Sequence, residues 1–281
     1  YRRTNGWNLA INQRQFGWLA PASNLGIGGM AAFLPVDTAE PDVTYREALS
    51  LDAGGVPVEL HHARGETDDG TWVWWPTRRT LFAGDLFIWA SPNCGNPQKV
   101  QRYPRDWAEA FRTMTALDAD ILLPGHGLPI VGADRVRRAL TEGAELLESL
   151  LEQTLALMNE GARLDDIVHT VQAPPHLLER PYLRPVYDEP EFVVRNVWRR
   201  YGGWWDGDPS TLKPAPAAAL AAEVAALAGG ALALAQRADA LAAAGDLRLA
   251  CHLAEMAGLA APEDHGVQTI RAEVYERRRK A

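Results

Sequence analysis

Three short segments of this 281-residue chain carry side chains suited to holding a metal ion. They are Ala63-Arg-Gly-Glu66-Thr-Asp-Asp69, Phe82-Ala-Gly-Asp85 and Leu122-Leu-Pro-Gly-His126-Gly127. Carboxylate and imidazole both ligate zinc, and a carboxylate can bridge two ions. The chemistry these residue types point to is metal-assisted hydrolysis. Each residue also has a plainer reading. Glu66 reads equally as a solvated turn carboxylate, Asp85 as an Asx-turn or helix cap, and His126 as a loop histidine that caps a helix. Asp68 and Asp69 read as turn residues. His61 and His62 just precede the first segment, but neighbours on a strand point to opposite faces, so they read as structural rather than as paired ligands.

Rigid elements must present these side chains, and each segment follows closely on a predicted strand, whose end is a firm platform for a ligand. Val56 to Leu60 has the composition of a strand, and Pro57 inside it suits an edge. Thr71 to Trp75 is rich in β-branched and aromatic residues, and Thr80 to Ala83 follows after the turn Pro76 to Arg79, so the two read as a β-hairpin. Trp72, Trp74 and Trp75 span both faces of one strand, so at least one face packs against another layer. Ile121 to Leu123 is a short buried strand that runs into Pro124-Gly125-His126. Asp106 to Ala116 has helical spacing, with Trp107, Phe111 and Met114 on one face. Gly26, Gly28 and Gly29 punctuate an early loop.

Composition shifts along the chain. Residues 1–133 read as mixed α/β. Residues 134–215 read as a helical extension with a Pro-rich arm: a long amphipathic helix over 134–159, a shorter one over 165–171, an irregular stretch over 173–190 and a helix over 191–201. Residues 216–281 are Ala-rich and helical, with breaks at Gly229-Gly230, Gly245-Asp246 and Pro262, in the manner of tetratricopeptide-like helix pairs. A formal net charge of −8 argues against a nucleic-acid backbone as the main partner. The two cysteines, Cys94 and Cys251, have no metal or disulfide spacing and read as packing residues. No stretch of about 18 apolar residues occurs.

The order of the three segments resembles the second half of a metallo-β-lactamase fold, in which a Gly-His-Thr turn, a Gly-Asp turn and a Pro-Gly-His turn supply metal ligands in that order. Here Gly65-Glu66-Thr67 occupies the first place, and a Glu there marks the linear (primary) alkylsulfatase branch. The stretches ARGETDDGTWVWWP, LFAGDLFIWASPN, PGHGLPI and YGGWWDGDPSTLKP are similar to that branch as well. The resemblance implies the C-terminal part of an αββα sandwich followed by an all-α dimerisation domain. It also implies a homodimer. Three features depart from the pattern. The motif H-x-H-x-D-H is absent from the 281 residues, Asp85 stands where the best-known alkylsulfatases carry Glu, and no sterol-carrier-like domain follows. The chain starts at Tyr1 rather than Met, so the expectation is a fragment whose first motif lies upstream, truncated within the helical domain.

By resemblance, two Zn²⁺ ions hold a hydroxide between them that attacks a linear alkyl sulfate ester, giving alcohol and sulfate. Glu66 would join two upstream histidines on one ion, His126 would join an upstream Asp and His on the other, and Asp85 would bridge. Lys99 and Arg102, in the loop after Asp85, and Tyr187, in the arm, fall where the family places groups facing the sulfate. With three ligand positions in hand, the 281 residues alone are expected to bind zinc weakly and not to catalyse. One alternative keeps the fold but changes the substrate to another ester, a thioester or a lactone. The other is a non-catalytic helical dimerisation or binding module.

Overall fold

The computed structural model describes residues 6–8, 10–11 and 40–281, so the early glycine loop at Gly26, Gly28 and Gly29 lies outside the described residues. Two compact units divide between Asp206 and Gly207.

The first unit is built on a six-stranded sheet in sequential order: β1 (Ala48–Asp52), β2 (Pro57–His62), β3 (Thr71–Trp75), β4 (Thr80–Ile88), β5 (Ile121–His126) and β6 (Ile130–Val131). The predicted hairpin is present as antiparallel β3 and β4. The edge assignment for the Pro57 strand is corrected. β2 pairs with β1 on one side and β3 on the other, and Pro57 is tolerated because it is the first residue of the strand. β1 is short and half polar, Ala48-Leu-Ser-Leu-Asp52, and gave no sequence signal of its own.

β4 and β5 run parallel. Parallel neighbours need a crossover, and the segment between them supplies it with helix α1 (Pro104–Ala116). β2 opposes β3 and β3 opposes β4, so β2, β4 and β5 all point the same way. Their C-terminal ends therefore share one rim, and this parity brings the three segments together.

One face of the sheet, with Trp72, Trp74, Leu81 and Leu122, packs on Trp107, Phe111 and Met114 of α1 and on Val136, Leu140 and Leu147 of α2 (Ala133–Asn159). Burial of each such side chain contributes about 1.5–3 kcal/mol. Next come α3 (Leu164–Thr170), the short α4 (Pro175–Leu178) inside the Pro-rich arm and α5 (Pro190–Gly202), whose Val193, Val194 and Val197 join the same core. Residues 134–206 of the helical extension and arm therefore fold with the sheet, and residues 207–215 fall in the second unit.

The second unit has four helices: α6 (Ala217–Leu227), α7 (Ala231–Ala243), α8 (Leu247–Ala260) and α9 (His265–Lys280). α8 packs on the other three. Buried alanines at 235, 238, 250, 254 and 257 let the helices approach closely. No single helix among the described residues is long and apolar enough to cross a membrane. The predicted breaks coincide with real ends, and two have caps: Asp246 accepts from the Leu249 N–H and Asp264 from the Val267 N–H. Asp246→Ala and Asp264→Ala should each cost about 1 kcal/mol in urea denaturation. A loss below about 0.3 kcal/mol at both would mean the caps are not holding these helix starts.

Candidate functional site

Glu66 lies in the turn between β2 and β3, Asp85 within β4, and His126 at the last position of β5. All three line one cavity of about 470 Å³ at the shared rim, with Ile88, Trp89, Asn93 and Tyr187. His126 Nε2 stands 3.4 Å from Asp85 Oδ1. His126 and Asp85 are open, at 76% and 50% side-chain exposure, whereas Glu66 is 23% exposed.

The turn chemistry explains the close approach. Gly84 has φ +53°, which lets the chain bend just before Asp85. Gly125 passes so near this bend that a Cβ there would stand 2.2 Å from Asp85 Oδ1 and 2.7 Å from the Gly84 carbonyl carbon. Gly127, at φ +99°, lies against Trp89, whose Nε1 donates to the Leu128 carbonyl. Both glycines of Pro-Gly-His-Gly are thus required by contact.

Glu66 is held from below. Its Oε1 accepts from Asn93 Nδ2 at 2.6 Å and pairs with Arg102 Nη1 at 2.6 Å. Burial pushes the Glu66 carboxyl above its ordinary range. Arg102 pulls it the other way, and Asp85, by charge and hydrogen bond, adds to the rise. Arg102 is 2% exposed, also donates to the Asn93 carbonyl, and does not line the cavity. Lys99 is likewise outside the lining, and burial lowers its pKa, with Arg102 adding to the fall and Glu66 opposing it. Tyr187 does line the cavity.

Sequence reasoning missed Asn93 and Asp188. Asp188 accepts from the Gly95 and Glu189 backbone N–H groups and so ties the Asn93 loop to the arm that carries Tyr187. Burial raises its pKa to about 6, against the pull of those two bonds and of Arg102. Neither residue had a local signal, since both act across long sequence separations. His61 stacks on Trp72 with ring centroids 4.1 Å apart, and His62 Nε2 bonds the Asp68 carbonyl oxygen at 2.8 Å, away from the cavity.

Two carboxylates and one imidazole in a single cavity are a donor set that fits zinc. They make a partial set: no further His, Cys, Asp or Glu lines the cavity, and no group of three or more among the described residues stands in ligating geometry.

Comparison with known proteins bears on both units. The family model for the metallo-beta-lactamase superfamily matches residues 9–126, and that for alkyl sulfatase dimerisation matches residues 163–281. The chain is 31% identical to a linear primary-alkylsulfatase from a Pseudomonas species, over 86% of this chain and 46% of that protein. It is 26% identical to an alkyl/aryl-sulfatase from Saccharomyces cerevisiae, over 94% of this chain and 43% of that one. It thus spans somewhat under half the length of these relatives. Its fold is similar to the solved structure of a stereoselective inverting sec-alkylsulfatase from a Pseudomonas species. The TM-score is 0.79 at 26% identity, covering 85% of this chain and 39% of that one.

Proposed function

Because this chain belongs to the metallo-β-lactamase superfamily, in its alkylsulfatase branch, we propose that the protein hydrolyses linear alkyl sulfate esters to alcohol and sulfate. The observation that carries this reading is the convergence of Glu66, Asp85 and His126 on one rim cavity beside Tyr187. In this proposal those three residues are the chain's contribution to a zinc site, with Asp85 placed between the other two. When bound, zinc supplies Lewis-acid stabilisation of negative charge developing on oxygen.

The chain's own residues do the rest. Arg102 fixes the Glu66 carboxylate in place, so its part is exerted through Glu66 rather than on the substrate. Tyr187 presents a hydroxyl to the anionic head group, and Lys99 adds positive potential beside the loop. Ile88, Trp89 and Ala90 form an apolar wall along which an alkyl chain can lie, with the Trp89 indole fixed through its bond to the Leu128 carbonyl. Residues 163–281 pair two copies of the chain into a homodimer in the same proposal.

The test is turnover by the protein at its full natural length, loaded with zinc, on dodecyl sulfate beside a panel of lactones and thioesters. Sulfate release that is lost in Asp85→Ala and His126→Ala is expected. Hydrolysis of a lactone or thioester without any sulfate ester would move the substrate class, and inertness toward the whole panel would leave the assembly module as the better reading.

A further inference from the structure

A second cleft, of about 200 Å³, lies between the loop at Gly95 and Asn96 and the α5 residues Phe192, Arg195, Asn196 and Arg199. It shares no lining residue with the Glu66 cavity. No Asp or Glu lines it, yet two guanidinium groups do. Arg195 and Arg199 are one helical turn apart, a spacing at which like charges repel when nothing lies between them.

Several arginines of this unit meet carboxylates, as Arg64 with Asp106, Arg79 with Asp118 and Asp120, Arg112 with Glu148 and Arg180 with Glu142, and others meet aromatic side chains, as Arg78 with Trp75 and Arg200 with Tyr103. Among the described residues the cleft pair meets no carboxylate. Arg199 bonds only neutral acceptors, Gln101 Oε1 at 3.0 Å and Asn196 Oδ1 at 3.2 Å. Burial lowers its pKa with no carboxylate opposing the shift. Arg195 has no hydrogen bond or ion pair among the described residues.

The cleft is built before any ligand arrives. Asn196 holds Arg199 through its Oδ1 while its Nδ2 donates to the Arg102 carbonyl at 2.9 Å. The loop opposite is tied to Asp188 through the Gly95 N–H, and a Cβ on Gly95 would come within 2.2 Å of the Phe192 backbone. Asn96 spends its Oδ1 on the Gln98 N–H at 3.1 Å, which leaves its amide N–H groups as donors at the cleft. Two forked cations and a neutral donor around a small cleft match a compact anion with several acceptor oxygens.

We propose that this cleft binds a tetrahedral oxyanion of the sulfate or phosphate class, gripped by Arg195 and Arg199 with Asn96 as neutral donor. The assignment stands apart from the hydrolase reading, because it uses none of the same side chains. Isothermal titration with sodium sulfate, and separately with sodium phosphate, tests it at an ionic strength held constant with sodium chloride. Saturable binding of one ion per chain is expected. R195Q should weaken it by about tenfold, the loss of one charged hydrogen-bonding partner, and R195E should abolish it. Because Arg195 is exposed and makes no hydrogen bond or ion pair among the described residues, both variants should melt like the parent in anion-free buffer, and His126→Ala should leave the affinity unchanged. A stronger response to sulfate or to phosphate names the source, and each preference supports the site. Absence of saturable binding above chloride overturns the assignment. So does binding that survives R195E, or binding lost in His126→Ala but kept in R195Q.

Discussion

Arg102→Ala is expected to destabilise the sheet-bearing unit by about 3–5 kcal/mol, because it strands a partly buried carboxylate without its cation. Arg102 is itself buried, and its Nη1 lies 2.6 Å from Glu66 Oε1. The Asn93 carbonyl loses a donor in the same substitution. Removing both charges together should reverse much of the damage. The pair Glu66→Gln with Arg102→Met keeps the volume and removes both charges of the ion pair, and such replacements are often neutral. Urea denaturation of the two single variants and the double variant gives the coupling directly. If the double variant is as unstable as Arg102→Ala, packing rather than charge is the reason for the loss, and the view of Arg102 as the holder of Glu66 fails.

That pairing was not legible from sequence. Arg102 sits in an irregular loop well away from Glu66 along the chain, and nothing in its neighbours reveals what it touches. Read locally, an arginine in such a loop is a surface charge, and the family resemblance makes it face the sulfate. Folding makes it face inward, because Glu66 and the Asn93 carbonyl offer it acceptors in a buried setting that also holds Cys94 and Asp188. The three rim residues, by contrast, were legible together. Glu66 follows the end of β2, Asp85 comes just after the Gly84 bend in β4 and His126 closes β5, and strand directions follow from two antiparallel pairings and one helical crossover, so their meeting at one edge is a matter of parity. The helical half was legible for a similar reason. Its ends are marked by glycines and by capping aspartates, which act over three or four residues. β1 escaped because its signal is not local: Leu49 and Leu51 become meaningful only opposite Leu60 and Val58.

Gly125→Ala should cost more function than its single methyl group suggests. The added Cβ would meet Asp85 Oδ1 at 2.2 Å, the Gly84 carbonyl carbon at 2.7 Å and the Asp85 backbone nitrogen at 2.8 Å. A side-chain tip can rotate away, but two of these three atoms are backbone of a paired strand, so β4 and β5 must part where Gly84 faces Pro124. Overpacking of this kind costs about 1–3 kcal/mol. The larger effect falls on position: a shift of about 1 Å in Asp85 relative to His126 is enough to lower catalysis about a hundredfold. Gly161→Ala is the matched control, since that glycine also has a positive φ, +81°, but has nothing within 4 Å of its Cβ direction and lies beyond the end of α2. The expected pattern is a modest stability loss in both variants, with sulfate-ester turnover of the natural-length protein falling only in Gly125→Ala. Equal turnover in the two would show that the approach of the Pro-Gly-His turn to the Gly-Asp turn does not set the geometry of the rim.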